Sequence, residues 1–389
     1  MTITNAQPTL GLHQLVTMQG VYPSRGGDPN DPDYFSGNDD GYIYLGSIRS
    51  FAGNFAPNGS ALANGQLLAL SLNTALYSIL GPTFGGDGQS TFALPDLRGR
   101  LMVGVGDHTV LGEEFGSPSV TISHDNMPTA VGGSGIPLTN DQPSLVVRYL
   151  IYVGGDPGQT AGTLPGQIVA FLGDFVPVGY LPADGRTLSI SDPHYQELVT
   201  AIGTTYGGDG VSTFKLPDLT DRTIIGAGTS VQLGNINIPI GTVLGSDTMS
   251  VTGSNLSQIQ NTPIDNHQPS LAMTFLIATE GVFPGSIPQG NKFVGEIVAY
   301  AGYVDPSNIP DRLDGWLVAD GRLLSIAEHT ALFQLLGTTY GGDGQQTFAL
   351  PNLVGRSMTE AGQGQGLPNV ILGEQYGTCL LYTSPSPRD

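Results

Sequence analysis

The sequence is poor in basic residues. It has 389 residues, with 13 lysines and arginines against 33 aspartates and glutamates, and a formal net charge of −20. Its only lysines are Lys215 and Lys292, and only Arg98 and Arg100 place two arginines close together. Nucleic acids and anionic membranes both attract clusters of basic residues, through their phosphates and lipid headgroups. We therefore expect neither kind of partner.

Long apolar runs are also missing. No stretch of 18 apolar residues occurs, so we expect no membrane-spanning segment. The first residues, Met1–Asn5, lack the basic and apolar regions of a signal peptide. We therefore expect assembly in the cytoplasm.

The single cysteine lies in an unusual C-terminal segment. A codon choice for residues 379–389 spells a common transposon-based sequencing adapter, so we interpret this segment as an adapter artefact. We expect the natural gene to continue past about Gly377. Without Cys379 the chain has no thiol, which excludes disulfides, a thiolate nucleophile and cysteine-ligated metal.

Charge of either sign is scarce, whereas glycine is abundant. Charged residues make up 12% of the chain, about half the usual quarter, and 39% of the residues are apolar. That balance argues against disorder. With 57 glycines, 28 prolines and no strict Gly-X-Y period, the sequence predicts a turn-dense, β-rich globular chain of two or three domains.

One module occurs three times. Each copy contains a Gly-x-Ile stretch, an Asn/Asp-Gly pair, a Gly-Gly-Asp-Gly motif, a Thr-Phe-x-Leu-Pro motif and an arginine five positions after that proline. A weaker Gln-Pro-Ser/Thr-Leu element precedes each copy, at Gln7, Gln142 and Gln268. Taking this element as the start gives unit 1 (7–141, core 46–100), unit 2 (142–267, core 166–222) and unit 3 (268–377, core 295–356). Their length predicts separate beads rather than a solenoid.

Each core predicts an α+β fold that is mostly strand and loop. Ile48, Ile168 and Ile297 lie in short β-prone runs. One short helix follows in each unit, predicted at 71–80, 192–202 and 325–336, with Asp192 as an N-cap before Pro193. A glycine follows each helix, and an apolar stripe lies on one face of it.

The order of these motifs resembles the phage tail collar domain, which is also found in the microcystin-dependent proteins of bacteria. The resemblance covers about 55 residues of each unit. It implies a non-catalytic structural component of a phage tail or tail-like particle, near a receptor-contacting fibre. It further implies other tail proteins as partners, a homo-oligomer that is a trimer by analogy, and a virion or extracellular location after lysis.

The repeated motif residues have two readings. We expect them to be structural: Gly85, Gly86, Asp87, Gly88, Gly207, Gly208, Asp209, Gly210, Gly341, Gly342, Asp343, Gly344, Pro95, Pro217, Pro351, Arg100, Arg222 and Arg356. A phosphate loop would precede a helix, whereas these glycines follow one. Calcium at the three aspartates, and ligand contact by the three arginines, are the alternatives.

No cofactor is expected. Some collar proteins carry a zinc-binding His-x-His after Met-Pro, but Met127-Pro128 is followed by Thr129-Ala130. Calcium at Asp28, Asp31 and Asp33 is an alternative to a solvated acidic loop. Neither Gly-x-Ser-x-Gly nor His-Glu-x-x-His occurs, so we predict no enzyme.

Two functions remain open at this point. In the first, a tail protein contacts a host glycan or protein receptor through the loops after each core, 101–141 and 223–267, which differ between copies. In the second, a bacterial surface or secreted interaction protein reuses the module. A tail-associated depolymerase ranks after both.

Overall fold

The computed structural model describes residues 2–24, 44–154, 163–230, 236–251, 264–284, 292–304, 313, 315–377 and 380–381. Short strands dominate these residues, with one short α-helix in each unit. The predicted β-rich α+β class is confirmed.

The first ten strands begin ahead of unit 1 and end within it. They are β1 (Thr2–Thr4), β2 (Thr9–Thr17), β3 (Ser47–Phe51), β4 (Ser60–Leu62), β5 (Leu67–Ala69), β6 (Thr91–Ala93), β7 (Leu101–Gly104), β8 (Glu114–Phe115), β9 (Ser119–Thr121) and β10 (Leu138–Thr139). The helix of unit 1 is α1 (Thr74–Leu80), and 3-10 turns lie at Leu70–Leu72, His124–Asn126 and Thr129–Val131.

Units 2 and 3 repeat the order of elements from β2 to β7. Unit 2 contains β11 (Ser144–Tyr152), β12 (Gln167–Phe171), β13 (Tyr180–Pro182), β14 (Thr187–Ser189), α2 (Gln196–Ile202), β15 (Thr213–Lys215), β16 (Thr223–Gly226), β17 (Gly228–Ser230), β18 (Ile236–Ile238), β19 (Val243–Leu244), β20 (Thr248–Met249) and β21 (Ile264–Asp265). Unit 3 and the residues after it contain β22 (Ser270–Ala278), β23 (Glu296–Tyr300), β24 (Trp316–Val318), β25 (Leu323–Ser325), α3 (Thr330–Leu336), β26 (Thr347–Ala349), β27 (Ser357–Glu360), β28 (Gly362–Gln363), β29 (Asn369–Val370), β30 (Gln375–Tyr376) and β31 (Leu380–Leu381).

The helices begin later than the sequence predicted. In unit 3, Ser325 belongs to β25 and α3 begins at Thr330. The reason is that β25 pairs with β26, and this ladder includes Ser325, the first residue of the predicted helix. In unit 2, Asp192 does cap a turn, because its carboxylate accepts a hydrogen bond from His194 N at 3.0 Å, but that turn is a 3-10 helix at Pro193–Tyr195. The apolar stripes are buried as predicted.

The expectation of separate beads is wrong. The strand that directly follows each core runs parallel to the first strand of another unit: β7 with β11, β16 with β22, and β27 with β2. The third pairing returns from unit 3 to unit 1 and closes a ring. A four-residue apolar strand such as β7 needs a partner for its backbone groups, and the neighbouring unit supplies it. Residues 101–104 and 223–226, predicted as the starts of variable loops, are therefore buried strands.

The three units meet around a pseudo-threefold axis. The equivalent strands β3, β12 and β23 pair with one another, through Ile48 with Ala170, Ile168 with Ala299, and Ile297 with Ser50. A single hydrophobic cluster contains buried side chains from all three units, including Phe51, Phe171 and Tyr300. The core therefore belongs to the ring and not to any one unit.

Candidate functional site: the interfaces between the units

A cyclic set of glutamine hydrogen bonds surrounds the axis. The Oε1 atom of Gln142 accepts from Gln7 N at 2.8 Å, that of Gln268 accepts from Gln142 N at 3.0 Å, and that of Gln7 accepts from Gln268 N at 3.2 Å. All three side chains are buried. The sequence marked these glutamines only as the start of each unit. The signal in the sequence was a polar residue repeated just before a strand that is buried. That repetition indicated that these glutamines have hydrogen-bond partners.

The Gly-x-Ile stretch supplies a second cyclic set of bonds. The carbonyls of Gly46, Gly166 and Gly295 accept hydrogen bonds from the next unit around the ring, at 3.1, 2.9 and 3.0 Å. The donors are the amides of Leu172, Ala301 and Ala52, respectively. Each of the three glycines has a φ between +80° and +89°. A left-handed backbone at this point therefore turns one carbonyl of each unit toward its neighbour.

The aromatic residue before Gly-Gly-Asp-Gly also reaches another unit. The hydroxyl of Tyr206 donates to Ala301 O at 2.9 Å, and that of Tyr340 donates to Ala52 O at 2.8 Å. Burial raises the pKa of both phenols. Unit 1 has Phe84 at this position, which offers no hydroxyl. Part of the repeated motif thus connects units to each other.

The Gly-Gly-Asp-Gly segment folds back on its own aspartate. In unit 3, Asp343 Oδ1 accepts from Gln345 N, Gln346 N and Thr347 N at 2.8 to 2.9 Å. These bonds, that from Thr347 N first, lower the pKa of Asp343 to about 2. In units 1 and 2 a serine hydroxyl bond is the first cause of a lowered pKa at Asp87 and Asp209. The aspartate occupies the amides that a phosphate would need.

The glycines of this segment have conformational reasons to be there. Positive φ is found at Gly85, Gly86, Gly88, Gly207, Gly208, Gly210, Gly341, Gly342 and Gly344. At the second glycine, a Cβ on Gly86, Gly208 or Gly342 would lie 2.4 to 2.5 Å from the Cα of the phenylalanine in Thr-Phe-x-Leu-Pro. A side chain there would push the turn away from the strand.

The prolines and arginines of the motif hold loops within their own unit. The carbonyls of Pro95, Pro217 and Pro351 accept hydrogen bonds from Gly65, Gly185 and Gly321 at 3.0 to 3.2 Å. Arg222 Nη1 donates to Asp218 Oδ2 at 2.6 Å, and Arg356 Nη1 donates to Asn352 O at 3.1 Å.

Arg100 forms hydrogen bonds with one residue before it and one residue after it in the sequence of unit 1. It donates to Asp96 O at 3.3 Å and, through Nη2, to Glu114 Oε2 at 2.6 Å. All three arginines thus form hydrogen bonds within their own units. Ligand contact by these arginines stays a hypothesis.

A buried ion pair lies at the axis. Arg49 Nε donates to Glu296 Oε1 at 2.8 Å, and a second bond joins Nη2 to Oε2. The guanidinium also lies 3.8 Å from the ring centre of Phe293, whose amide donates to Glu296 at 3.3 Å. Repeat alignment places Val169 and Val298 where unit 1 has Arg49. The pair is therefore specific to the contact between units 1 and 3.

The interface between units 3 and 1 has a second polar feature. Glu360 is fully buried and accepts hydrogen bonds from Gln14 N and from His13 Nδ1, the latter at 3.0 Å. Desolvation raises its pKa, and the nearby charge of Asp96 acts in the same direction. The equivalent positions in units 1 and 2 are Gly104 and Gly226.

Metal ligands do not gather in the part of the chain that the structure describes. No group of three or more His, Cys, Asp or Glu side chains there is arranged to hold a metal ion. The calcium candidates Asp28, Asp31 and Asp33 lie outside the described residues. Among described helices, none has the length and hydropathy to cross a membrane.

Beyond the buried strand β7, the predicted loop of unit 1 forms a small extension. A satellite cluster of Ile122, Leu138, Met249 and Val251 joins it to the corresponding part of unit 2. Val131 and Ile136 project from this extension with 57% and 53% of their surface exposed. Much of the unit 2 loop, 231–235 and 252–263, lies outside the described residues.

Replacing Asp343 should test the turn. Because its folded pKa of about 2 lies below the ordinary 3.8, the carboxylate stabilises the fold above pH 3.8, and the contribution is lost as the pH falls through about 2. We expect Asp343→Ala to lower Tm at pH 7 and to converge with the wild type near pH 2. Thermal unfolding followed by circular dichroism from pH 7 to pH 2 measures this. Asp107→Ala, at an exposed aspartate, is the control, and equal shifts for both variants would contradict the assignment.

Glu360 should give the opposite pH dependence. Its raised pKa means that its contribution is fully present below about pH 4.5 and is lost as the pH rises through the folded pKa. Glu360→Gln keeps an acceptor for Gln14 N without the buried charge. We therefore expect the Tm of the variant, relative to wild type, to rise between pH 4.5 and pH 8. The exposed Glu328→Gln is the control; a parallel pH profile for Glu360→Gln and wild type would refute the expectation.

Comparison with known families agrees with this geometry. The model of the Phage Tail Collar Domain matches residues 46–102, 166–224 and 295–358, which contain all three cores. No curated protein and no solved structure matches the chain. The matched segments contain the axial strands β3, β12 and β23 and the turn motifs, and they end two residues into β7, β16 and β27. The chain therefore carries three tandem copies of the phage tail collar domain.

Proposed function

We propose that the chain is a non-catalytic structural and adhesion component of a phage tail or tail-like particle, contacting the host through loops outside the collar cores. The collar domains indicate a structural role of the tail-fibre type and association with a virion and its tail proteins. The observation that carries the proposal is the use of the repeated motif. Its glycine carbonyls and tyrosine hydroxyls form hydrogen bonds between neighbouring units. Its aspartates accept hydrogen bonds from the backbone amides of their own turns.

Adhesion is assigned to the extension of unit 1. Val131 and Ile136 lie in a segment without a counterpart in the repeated motif, on a scaffold fixed by the ring. Loops carried by a rigid scaffold are a common location for recognition. Large exposed apolar side chains are suited to a receptor surface or to the apolar face of a glycan.

Location in a particle is the first test. Gold-labelled antibodies against the chain should decorate the tails of particles purified from a lysate of the source, as seen by electron microscopy. Label on intact bacterial surfaces, with none on particles, would replace this proposal with the bacterial interaction protein.

Receptor contact is tested by Val131→Asp/Ile136→Asp in the full chain. We expect the labelled variant to bind a responsive strain from a bacterial panel about thirtyfold more weakly than wild type, because hot-spot side chains contribute about 2 kcal/mol. Flow cytometry over a concentration series measures this. The matched control is Val211→Asp, which changes an equally apolar side chain, 85% exposed, in a turn of unit 2. Equal binding by both variants would remove the extension from the receptor site.

A further inference from the structure

We propose that this chain is a monomer in which three collar repeats take the places of three subunits, and that Arg49 and Glu296 fix the position of each repeat around the axis. The resemblance implied a trimer of chains; here the ring of three is completed by one chain. A ring completed by one chain can form whichever particle or surface carries the protein.

The first support is that the ring closes within the chain. Each unit contributes one strand to a parallel pair with the next, and the pair of β27 with β2 joins unit 3 to unit 1. The axial strands, the glutamine bonds and the glycine carbonyl bonds each form a complete set of three. Every set of contacts around the axis is thus completed by residues of one chain.

The second support is the difference between repeats at the axis. Symmetry puts the same residue at equivalent positions of every subunit in a homotrimer. A ring of three copies of unit 1 would gather three buried Arg49 side chains, and one of three copies of unit 3 would gather three Glu296 side chains. Uncompensated buried charges are strongly unfavourable. The Arg49–Glu296 pair forms only where unit 1 adjoins unit 3.

The third support comes from Glu360. At the other two interfaces, a Cβ on Gly104 or Gly226 would lie 2.0 or 1.8 Å from the carbonyl oxygen of Leu219 or Leu353 in the next unit. A glutamate could not replace either glycine without moving the strand. The strand of unit 3 that carries Glu360 therefore fits against unit 1, where Gln14 and His13 bond to its carboxylate.

A ring assembled from units of different chains is the competing arrangement. It would also place unit 1 beside unit 3. Units that are linked by short covalent connections have a high effective concentration, in the millimolar range. Closure within one chain is therefore favoured when the protein concentration is below that range.

Mass in solution is the first experiment. Size-exclusion chromatography with light scattering of the full chain, from about 1 to 100 µM, should give 40.5 kDa throughout. Tm should be independent of concentration over the same range. A mass three times larger, or a Tm that rises with concentration, would overturn the monomer.

Charge reversal tests the pairing. Arg49→Glu and Glu296→Arg each bury two like charges side by side and should lower Tm strongly, whereas Arg49→Glu/Glu296→Arg in one chain should recover most of the loss. An equimolar mixture of the two single variants should melt like its components. Recovery on mixing would show that units of different chains pair, and no recovery in the double variant would remove the pair from the proposal.

A neutral variant guards against failure to fold. Arg49→Val/Glu296→Gln introduces the residues that unit 2 has at these positions, Val169 and Gln167. We expect it to fold but to give several times more oligomer than wild type when refolded from denaturant at about 50–100 µM. The reason is that the position of each repeat around the axis is less well specified without the ion pair. The control is Arg186→Val/Asp184→Asn, which removes a half-exposed pair inside unit 2. Equal oligomer fractions in all three proteins would refute the position-fixing role.

Discussion

The structure depends on parallel strand pairing between units. A short buried strand follows the core of each unit and pairs with the first long strand of the next unit. Without that pairing, buried amides and carbonyls of β7, β16 and β27 would be left unsatisfied, at a cost of about 1–3 kcal/mol each. No unit is therefore complete alone, and the three share one core.

Closure of the ring joins the two distant ends of the chain. Gln7 Nε2 donates to Ser357 Oγ across 350 positions of sequence, and Thr359 Oγ1 donates to Arg100 O across 259. Contacts between such distant residues form late, because loop closure must precede them. The interface between units 3 and 1 has no short peptide connection to keep it together, and it is there that the buried pairs of Arg49 and Glu360 are found.

The sequence predicted the contents of each unit much better than the contacts between units. Internal repetition located the long strands, the turns and the helical stripes, since these follow from local apolar periodicity and glycine. It did not show that β7 pairs with unit 2, because a repeated strand looks the same whether its partner is in its own unit or the next. Arg49 and Glu296 are 247 positions apart, and only a comparison of aligned repeats, valine against arginine, would have singled them out.

Agreement and disagreement among the repeats thus carry different information. Where the copies agree, at Gln7 and its counterparts or at the Gly-x-Ile glycine, the residues make bonds that each interface needs. Where they disagree at buried positions, as at Arg49 and Glu360, the residues distinguish one interface from the others. Identical subunits have the same residues at every interface, so a homotrimer cannot have such differences. Tandem duplication within one chain allows each interface to have its own buried residues.

The negative net charge of the chain reflects how few basic residues it has and how many of them form ion pairs. Arg49, Arg98, Arg100, Arg186, Arg222 and Arg322 all form ion pairs inside the fold. With only 13 lysines and arginines in total, few remain to offset the other carboxylates, and the formal net charge is −20. Like charge of that size opposes the approach of a second copy at low ionic strength. The scarcity of basic residues, from which we expect no nucleic-acid partner, thus also favours a ring completed by one chain.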